Sequence, residues 1–390
     1  MGVNKRILII DFTNYEDYPI GGYLSFAKSL MESFGPDLAL AGITTCKKDP
    51  IGKWFKKNIN GVLYDFFAMA RYNNSKTRHL IPDRLVSYVL LKYYKNRILR
   101  INIDNIFLQR QELLISITGS NPMNICYCFA GLENPLSISK YWYAFNISHW
   151  FERIFFKRLK LAKTILASGD DNAINEMIIR SKGKISKSSV TKFPTRINTD
   201  IFKPLNKNEV KKKLNLSNTS TILVTTGRLA PLKGWKFMID CFVLFEKTIS
   251  DCRFYFIGEG EDHEKLQDYI SYNNLTGKVL LEGKKRPDEI ALFLNAADLF
   301  IMGSYKEGWS TSLIEAIACG IPACVTNFSS AKEIIQEGKN GYVIEEHNTD
   351  LFVQGMLKAI MIPRPVFNDN VMTYSSKMLK EDLHNKWDLI

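Results

Sequence analysis

In the C-terminal half of the chain, short apolar runs alternate with stretches whose apolar residues recur at helical spacing. TILVTTG, RFYFIG, KVLLEG, DLFIMGS, PACVTN and GYVIEE have strand length and are bounded by charge, glycine or proline. Between them, residues 235–248, 263–273, 288–296, 312–318 and 331–336 repeat apolar positions every three or four residues. Strands apolar on both faces, separated by amphipathic helices, predict βα units and a parallel sheet covered on both sides. The N-terminal half begins the same way. KRILIID predicts a buried strand and Gly21-Gly22 a turn. Leu24, Ala27, Leu30 and Met31 give one helix face, closed by Gly35, and LALAGIT a second strand. From residue 47 to about 110 the pattern blurs, where KKDPIGKWFKKN and KYYKNRILR interleave Lys and Arg with aromatic residues. It resumes at 124–129 and 163–167. FPTRINTDIFKP, ending at Pro204, predicts a crossing linker. The expected fold class is α/β, with two Rossmann-like domains facing each other across a cleft. The expected domains are residues 1–196, residues 197–362, and a helical segment 363–390 that packs back on the first.

Composition narrows the class. At 390 residues, 46% hydrophobic and 24% charged, the chain has the make-up of a folded domain pair and not of a disordered or disulfide-stapled protein. Seven cysteines without a CxxC spacing predict reduced thiols and a cytoplasmic setting. The apolar run before Asp11 is too short for a signal peptide. Leu113–Leu132, the longest uncharged stretch, is too polar for a membrane span. Charge is divided unevenly: residues 1–196 carry a net +14 and residues 197–390 a net −2. A basic half suits nucleic acid, an anionic membrane surface or a phosphate-bearing acceptor. No helix-turn-helix, zinc-finger or RNP pattern supports nucleic acid.

Three stretches carry candidate chemistry. In EGWSTSLIE, Glu307 lies in a loop after a strand, Ser310 or Thr311 caps the following helix, and Glu315 sits one turn inside it, on the face of Thr311 and Ser312. The first-turn N–H groups suit a phosphate. Two carboxylates beside it would be repelled unless they met hydroxyls, so sugar and ribose are their natural partners. The alternative is that Glu315 only favours the helix start and Glu307 is a solvated loop acid. In GRLAPLKGW, Gly227 permits a close turn, and Arg228 and Lys233 supply two cations at a strand end. These suit a diphosphate, or are simply surface cations. FIGEGEDHEKL gives a tight GxG turn at Gly258 but lacks the third glycine of a dinucleotide fingerprint. Gly283 and Gly308 are further positions for close backbone approach.

In order and nearly in spacing, GRLAPLKGW, IGEGEDHEKL, VLLEG, EGWSTSLIEAIACGIPACVTN and GKNGYVI resemble the C-terminal half of family 4 glycosyltransferases, over residues 190–362. The resemblance implies the GT-B fold, retention of anomeric configuration and no metal or other cofactor. It implies that Arg228 and Lys233 hold the donor diphosphate, helped by backbone N–H groups from Trp309 to Ser312. Glu307 would contact the donor sugar and Glu315 the ribose, while Gly21 and Gly22 would let the N-terminal loop approach. Many members place a histidine in the N-terminal half near the reaction centre; here the stretch reads CYCFAGLENP. Glu133 is the nearest polar substitute for accepting a proton, or is a loop acid, and His149 falls in a helical pattern. The expected activity is transfer of a hexose from a UDP- or GDP-sugar to a glycan acceptor linked to a lipid diphosphate, in bacterial surface polysaccharide (O-antigen, capsule or lipopolysaccharide) assembly. Its expected place is the inner face of the cell membrane, peripherally bound. A sugar-nucleotide epimerase and a catalytically inactive partner subunit are the alternatives.

Overall fold

The computed structural model describes residues 6–19, 22–72, 81–117, 123–129, 134–137, 142–169, 171–366 and 371–389. They form two units, one of Met1–Pro194 with Met378–Ile390 and one of Thr195–Lys377.

The first unit holds an eight-stranded sheet. Its strands are β1 (Ile7–Ile10), β2 (Leu38–Thr44), β3 (Trp54–Ile59), β4 (Val62–Arg71), β5 (Asn105–Leu108), β6 (Asn124–Phe129), β7 (Thr164–Ala167) and β8 (Val190–Lys192). The order is β3-β4-β2-β1-β5-β6-β7-β8, and only the β3–β4 pair is antiparallel. Every residue of β1, β2, β5 and β6 is buried, as the unbroken apolar runs require. The blurred stretch 47–110 resolves into the β3–β4 hairpin, helix Asp83–Ile98 and β5. WFKK, after an exposed Lys53, opens β3. Lys57 is 8% exposed between Glu16 (3.3 Å) and Asp49 (3.1 Å), and Lys56 pairs with Asp65 at 2.9 Å. Trp54 packs edge-on against Phe67.

The second unit holds six parallel strands: β9 (Thr221–Thr226), β10 (Cys252–Ile257), β11 (Val279–Leu281), β12 (Leu299–Met302), β13 (Ala323–Thr326) and β14 (Gly341–Ile344). Their order is β11-β10-β9-β12-β13-β14. The chain winds outward from β9 on one side and returns to β12 on the other. The switch point, where such sheets bind ligands beyond the carboxyl ends of the strands, therefore lies between β9 and β12.

The C-terminal boundary differs from the expected residue 363. The chain re-enters the first unit only at Met378. Arg364 is bound to the second unit by donating to the carbonyls of Ala297 and of Gly320, and Val366 N–H donates to Gly320 O at 3.0 Å. Ile197 exchanges backbone hydrogen bonds with Tyr374 (2.8 Å) and Ser376 (2.7 Å). Beyond Met378, helix Leu379–Lys386 buries Leu379, Leu383 and the following Trp387 in the core of the first unit. Trp387 Nε1 donates to Asn124 Oδ1 at 2.8 Å.

Candidate active site

Glycines bring three loops of the second unit together. Gly258 follows β10 with φ +149°, and a Cβ there would lie 1.8 Å from the carbonyl oxygen of Gly227. The close approach that this glycine permits is to the protein's own backbone. Gly234 has φ +65°, and a Cβ there would meet Gly303 O at 1.9 Å. That contact presses the loop after β9 onto the loop after β12, with Tyr305 N–H donating to Leu232 O at 2.9 Å. Gly283 and Gly308, by contrast, leave open space around a Cβ, with only Glu259 Oε1 at 3.8 Å from the former.

The juxtaposed loops set the side chains. Lys233 Nζ lies 2.5 Å from Glu307 Oε1, so two residues 74 positions apart meet across the switch point. Ser304 Oγ donates to the same oxygen at 2.9 Å. Ser304 is wholly buried, and its carbonyl accepts from Thr326 Oγ1 at 2.7 Å. Arg228 is exposed at the end of β9. A pocket beside it is lined by Thr225, Gly227, Arg228, Lys233, Trp235 and Ser304, among others.

Helix Thr311–Ala318 follows. Ser310 caps it, its Oγ accepting from Leu313 N–H at 3.3 Å, while Ser310 N–H donates to Ser330 Oγ at 3.0 Å. Trp309 is buried edge-on against Tyr374. The side chains of Trp309 and Ser310 therefore anchor the helix, while Thr311 and Ser312 stand half-exposed at its first turn. Glu315 lies one turn in. Among the described residues its carboxylate has no hydrogen-bond or ion-pair partner. The residue is half-buried, and desolvation by the surrounding protein pushes the carboxyl up to about 8. An ionised acid here lacks a donor that a bound hydroxyl would supply.

Gly21 and Glu133 lie outside the described residues. Gly22 opens helix Gly22–Phe34 and is exposed. His149 is exposed on helix Trp142–Leu159. Sequence reasoning passed over Ser304, Gly234 and a buried ion pair at the switch point of the first unit. There Arg110 pairs with Asp11 and lies 4.4 Å from the ring of Tyr23, and Gln109 Nε2 donates to Tyr23 O at 3.2 Å. Charges at the ends of the runs ILII and NIFL were the available signal. Among the described residues, no three His, Cys, Asp or Glu side chains converge on a point that could hold a metal ion.

Residues 206–369 match the model of the glycosyl transferases of group 1. The matched residues contain the whole Lys233–Glu307–Glu315 constellation. Among curated relatives, the chain is 25% identical over 211 residues to the UDP-Gal:alpha-D-GlcNAc-diphosphoundecaprenol alpha-1,3-galactosyltransferase of Escherichia coli, covering 53% of this chain and 52% of that one. It is 27% identical over 141 residues to the N-acetyl-alpha-D-glucosaminyl L-malate synthase of Bacillus anthracis, covering 36% of each. The chain thus spans about half or less of the length of the curated relatives it matches. In solved structures the likeness extends beyond the matched residues. Sucrose-phosphate synthase from Thermosynechococcus elongatus superposes with TM-score 0.73 at 14% identity, over 97% of this chain and 98% of that one. Anabaena HepE, solved with UDP and glucose, gives 0.69 at 14% identity over the same shares. The fold is GT-B, as the sequence motifs implied.

Proposed function

We propose that the chain transfers a hexose, with retention, from a UDP- or GDP-sugar to a glycan acceptor carried on a lipid diphosphate, in bacterial surface polysaccharide assembly. One observation carries the reading: Lys233 and Glu307 meet at the switch point, with Glu315 unpartnered one turn inside the next helix. In this reading Arg228 and Lys233 take the diphosphate charge without a metal. Glu307 receives the donor sugar hydroxyls, and Glu315 the ribose hydroxyls. The bond from the anomeric carbon to the β-phosphate oxygen breaks, and its electron pair stays on that oxygen. The acceptor oxygen bonds to the anomeric carbon from the same face, and its proton passes to the departing phosphate. Negative charge at Glu307 favours the developing positive charge on the sugar. The name of the Escherichia coli relative joins a UDP-sugar to a diphosphoundecaprenol-linked acceptor, which supports both substrate classes here.

The proposed place of work is the cytoplasmic face of the membrane. Among the described residues, no helix is long and apolar enough to cross it. Helix Trp142–Leu159 exposes Ile147 and Trp150 (65% exposed) beside Arg153 and Lys157, and helix Asp83–Ile98 exposes Leu85, Val89 and Tyr93 beside Lys92 and Arg97. Apolar and basic groups interleaved on exposed helix faces suit an anionic lipid surface.

The test is thermal shift against UDP, GDP, ADP and their sugars. Binding to the folded state alone should stabilise by about 2.7 kcal/mol at a hundredfold excess over Kd. The stabilising donor is then incubated with lipid-diphosphate glycans, with and without chelator. Stabilisation by none of the nucleotides sinks the reading. Interconversion of the free sugar nucleotide without transfer identifies an epimerase instead.

A further inference from the structure

Both described donors to Glu307 converge on one of its two carboxylate oxygens. Lys233 Nζ and Ser304 Oγ reach Oε1 at 2.5 and 2.9 Å, and among the described residues nothing donates to Oε2. The two donors differ in freedom. The Lys233 ammonium ends a flexible side chain at the close of the short 3-10 turn Pro231–Lys233, and the side chain is about one-third exposed. Ser304 is wholly buried just beyond β12. Its backbone is fixed by Thr326, likewise wholly buried at the end of the neighbouring β13, whose Oγ1 donates to the Ser304 carbonyl at 2.7 Å. A serine hydroxyl has a single proton to donate, and here it goes to Oε1. The terminal torsion of a glutamate is broad and roughly two-fold, so a carboxylate without a rigid partner samples many orientations.

The geometry points to Ser304 as the positioning residue of Glu307. It pins Oε1 so that Oε2 is the oxygen offered to the donor sugar, and Thr326 holds Ser304 in turn. The inference rests on the proposal that Glu307 receives the donor sugar. It also gives Lys233 two partners. When a diphosphate draws the ammonium away, Ser304 keeps the carboxylate in place, so its contribution is largest with donor bound.

The experiment uses the full chain and the variants S304A, T326V, E307A and S304A/E307A. The probes are UDP-glucose, UDP-galactose, UDP-N-acetylglucosamine and GDP-mannose, scored by nucleoside diphosphate released, together with bare UDP and GDP in calorimetry. S304A is expected to lower kcat about tenfold or more, as loss of a hydrogen bond to a charged group does. KM and affinity for the bare diphosphate should stay within about twofold. T326V should act in the same direction more weakly, and it carries the test if S304A does not fold. In the E307A background, S304A should remove nothing further, because its effect passes through that carboxylate. A packing role would instead lower the melting temperature and act equally in both backgrounds. Full turnover in S304A alongside loss in E307A overturns this proposal alone. Full turnover in E307A overturns the assignment of Glu307, and Ser304's role with it.

Discussion

Glu315 is the side chain whose environment differs most from its expected task. An ionised carboxylate was expected, ready for ribose hydroxyls. Without ligand, burial lifts its carboxyl from the ordinary 4.5 to about 8. An acid whose pKa is raised by folding contributes stability that is complete below its unfolded pKa and is lost as pH rises through the folded one. Between about pH 4.5 and 8 the unliganded protein should therefore lose up to ~1.4 kcal/mol per pH unit from this group. In E315Q that part of the pH dependence should be gone, as denaturant titrations at pH 5, 6.5 and 8 would reveal. Hydroxyl donors from a nucleotide would favour the ionised form. Binding of UDP or GDP at pH 7 should then release a proton, so that the calorimetric heat depends on the buffer in wild type but not in E315Q. Equal buffer dependence in both would detach Glu315 from the ligand. The glutamates and cations of this site were legible in the sequence because each stands in the loop after a strand or near the start of the helix that follows, where the ligand side is dictated by topology. Ser304 was not legible. A single serine after a strand carries no periodicity, and its importance comes from a neighbour three residues on and a threonine 22 residues away.

Among elements, the glycine-bearing loop after β9 decides whether the site assembles. Gly234→Ala puts a methyl on a carbonyl oxygen at positive φ, and should cost at least about 2 kcal/mol. It should also weaken nucleotide binding, because Lys233 loses its seat beside Glu307. Gly308→Ala, with nothing within 4 Å and no positive φ, should change stability by less than about 0.5 kcal/mol. Paired urea unfolding of the two variants checks the contrast, and similar losses would refute it. The strands of the second unit were readable because both faces are buried, so apolar runs stay unbroken. The β3–β4 hairpin was overlooked, although Asn60-Gly61 is the dipeptide of a two-residue turn and both residues have positive φ (51° and 85°). Its strands belong to the sheet edge, where Lys56 pairs with Asp65 of the neighbouring strand and Lys57 with Asp49 and with Glu16, 41 residues away. Those partners turn what looks like a basic surface stretch into structure.

For the molecule as a whole, the main correction is where the chain returns. Trp387 fills the core of the first unit from the far end of the sequence. Trp387→Ala should cost about 3–5 kcal/mol. The loss should fall on one unit, with faster amide exchange in β5 and β6 while β9 and β12 keep their protection. Hydrogen exchange read by mass spectrometry distinguishes this from uniform loosening, which would contradict the assignment of Met378–Ile390. The return also has a bearing on synthesis. Residues 195–377 are contiguous and can close their sheet as soon as they leave the ribosome. The first unit, although made earlier, waits for Leu379, Leu383 and Trp387. Its core stays short of one large side chain and two leucines until the last stretch emerges, so the order of completion runs opposite to the order of translation. A premature stop anywhere in residues 195–377 would therefore damage both units, including the one whose main body had already been made.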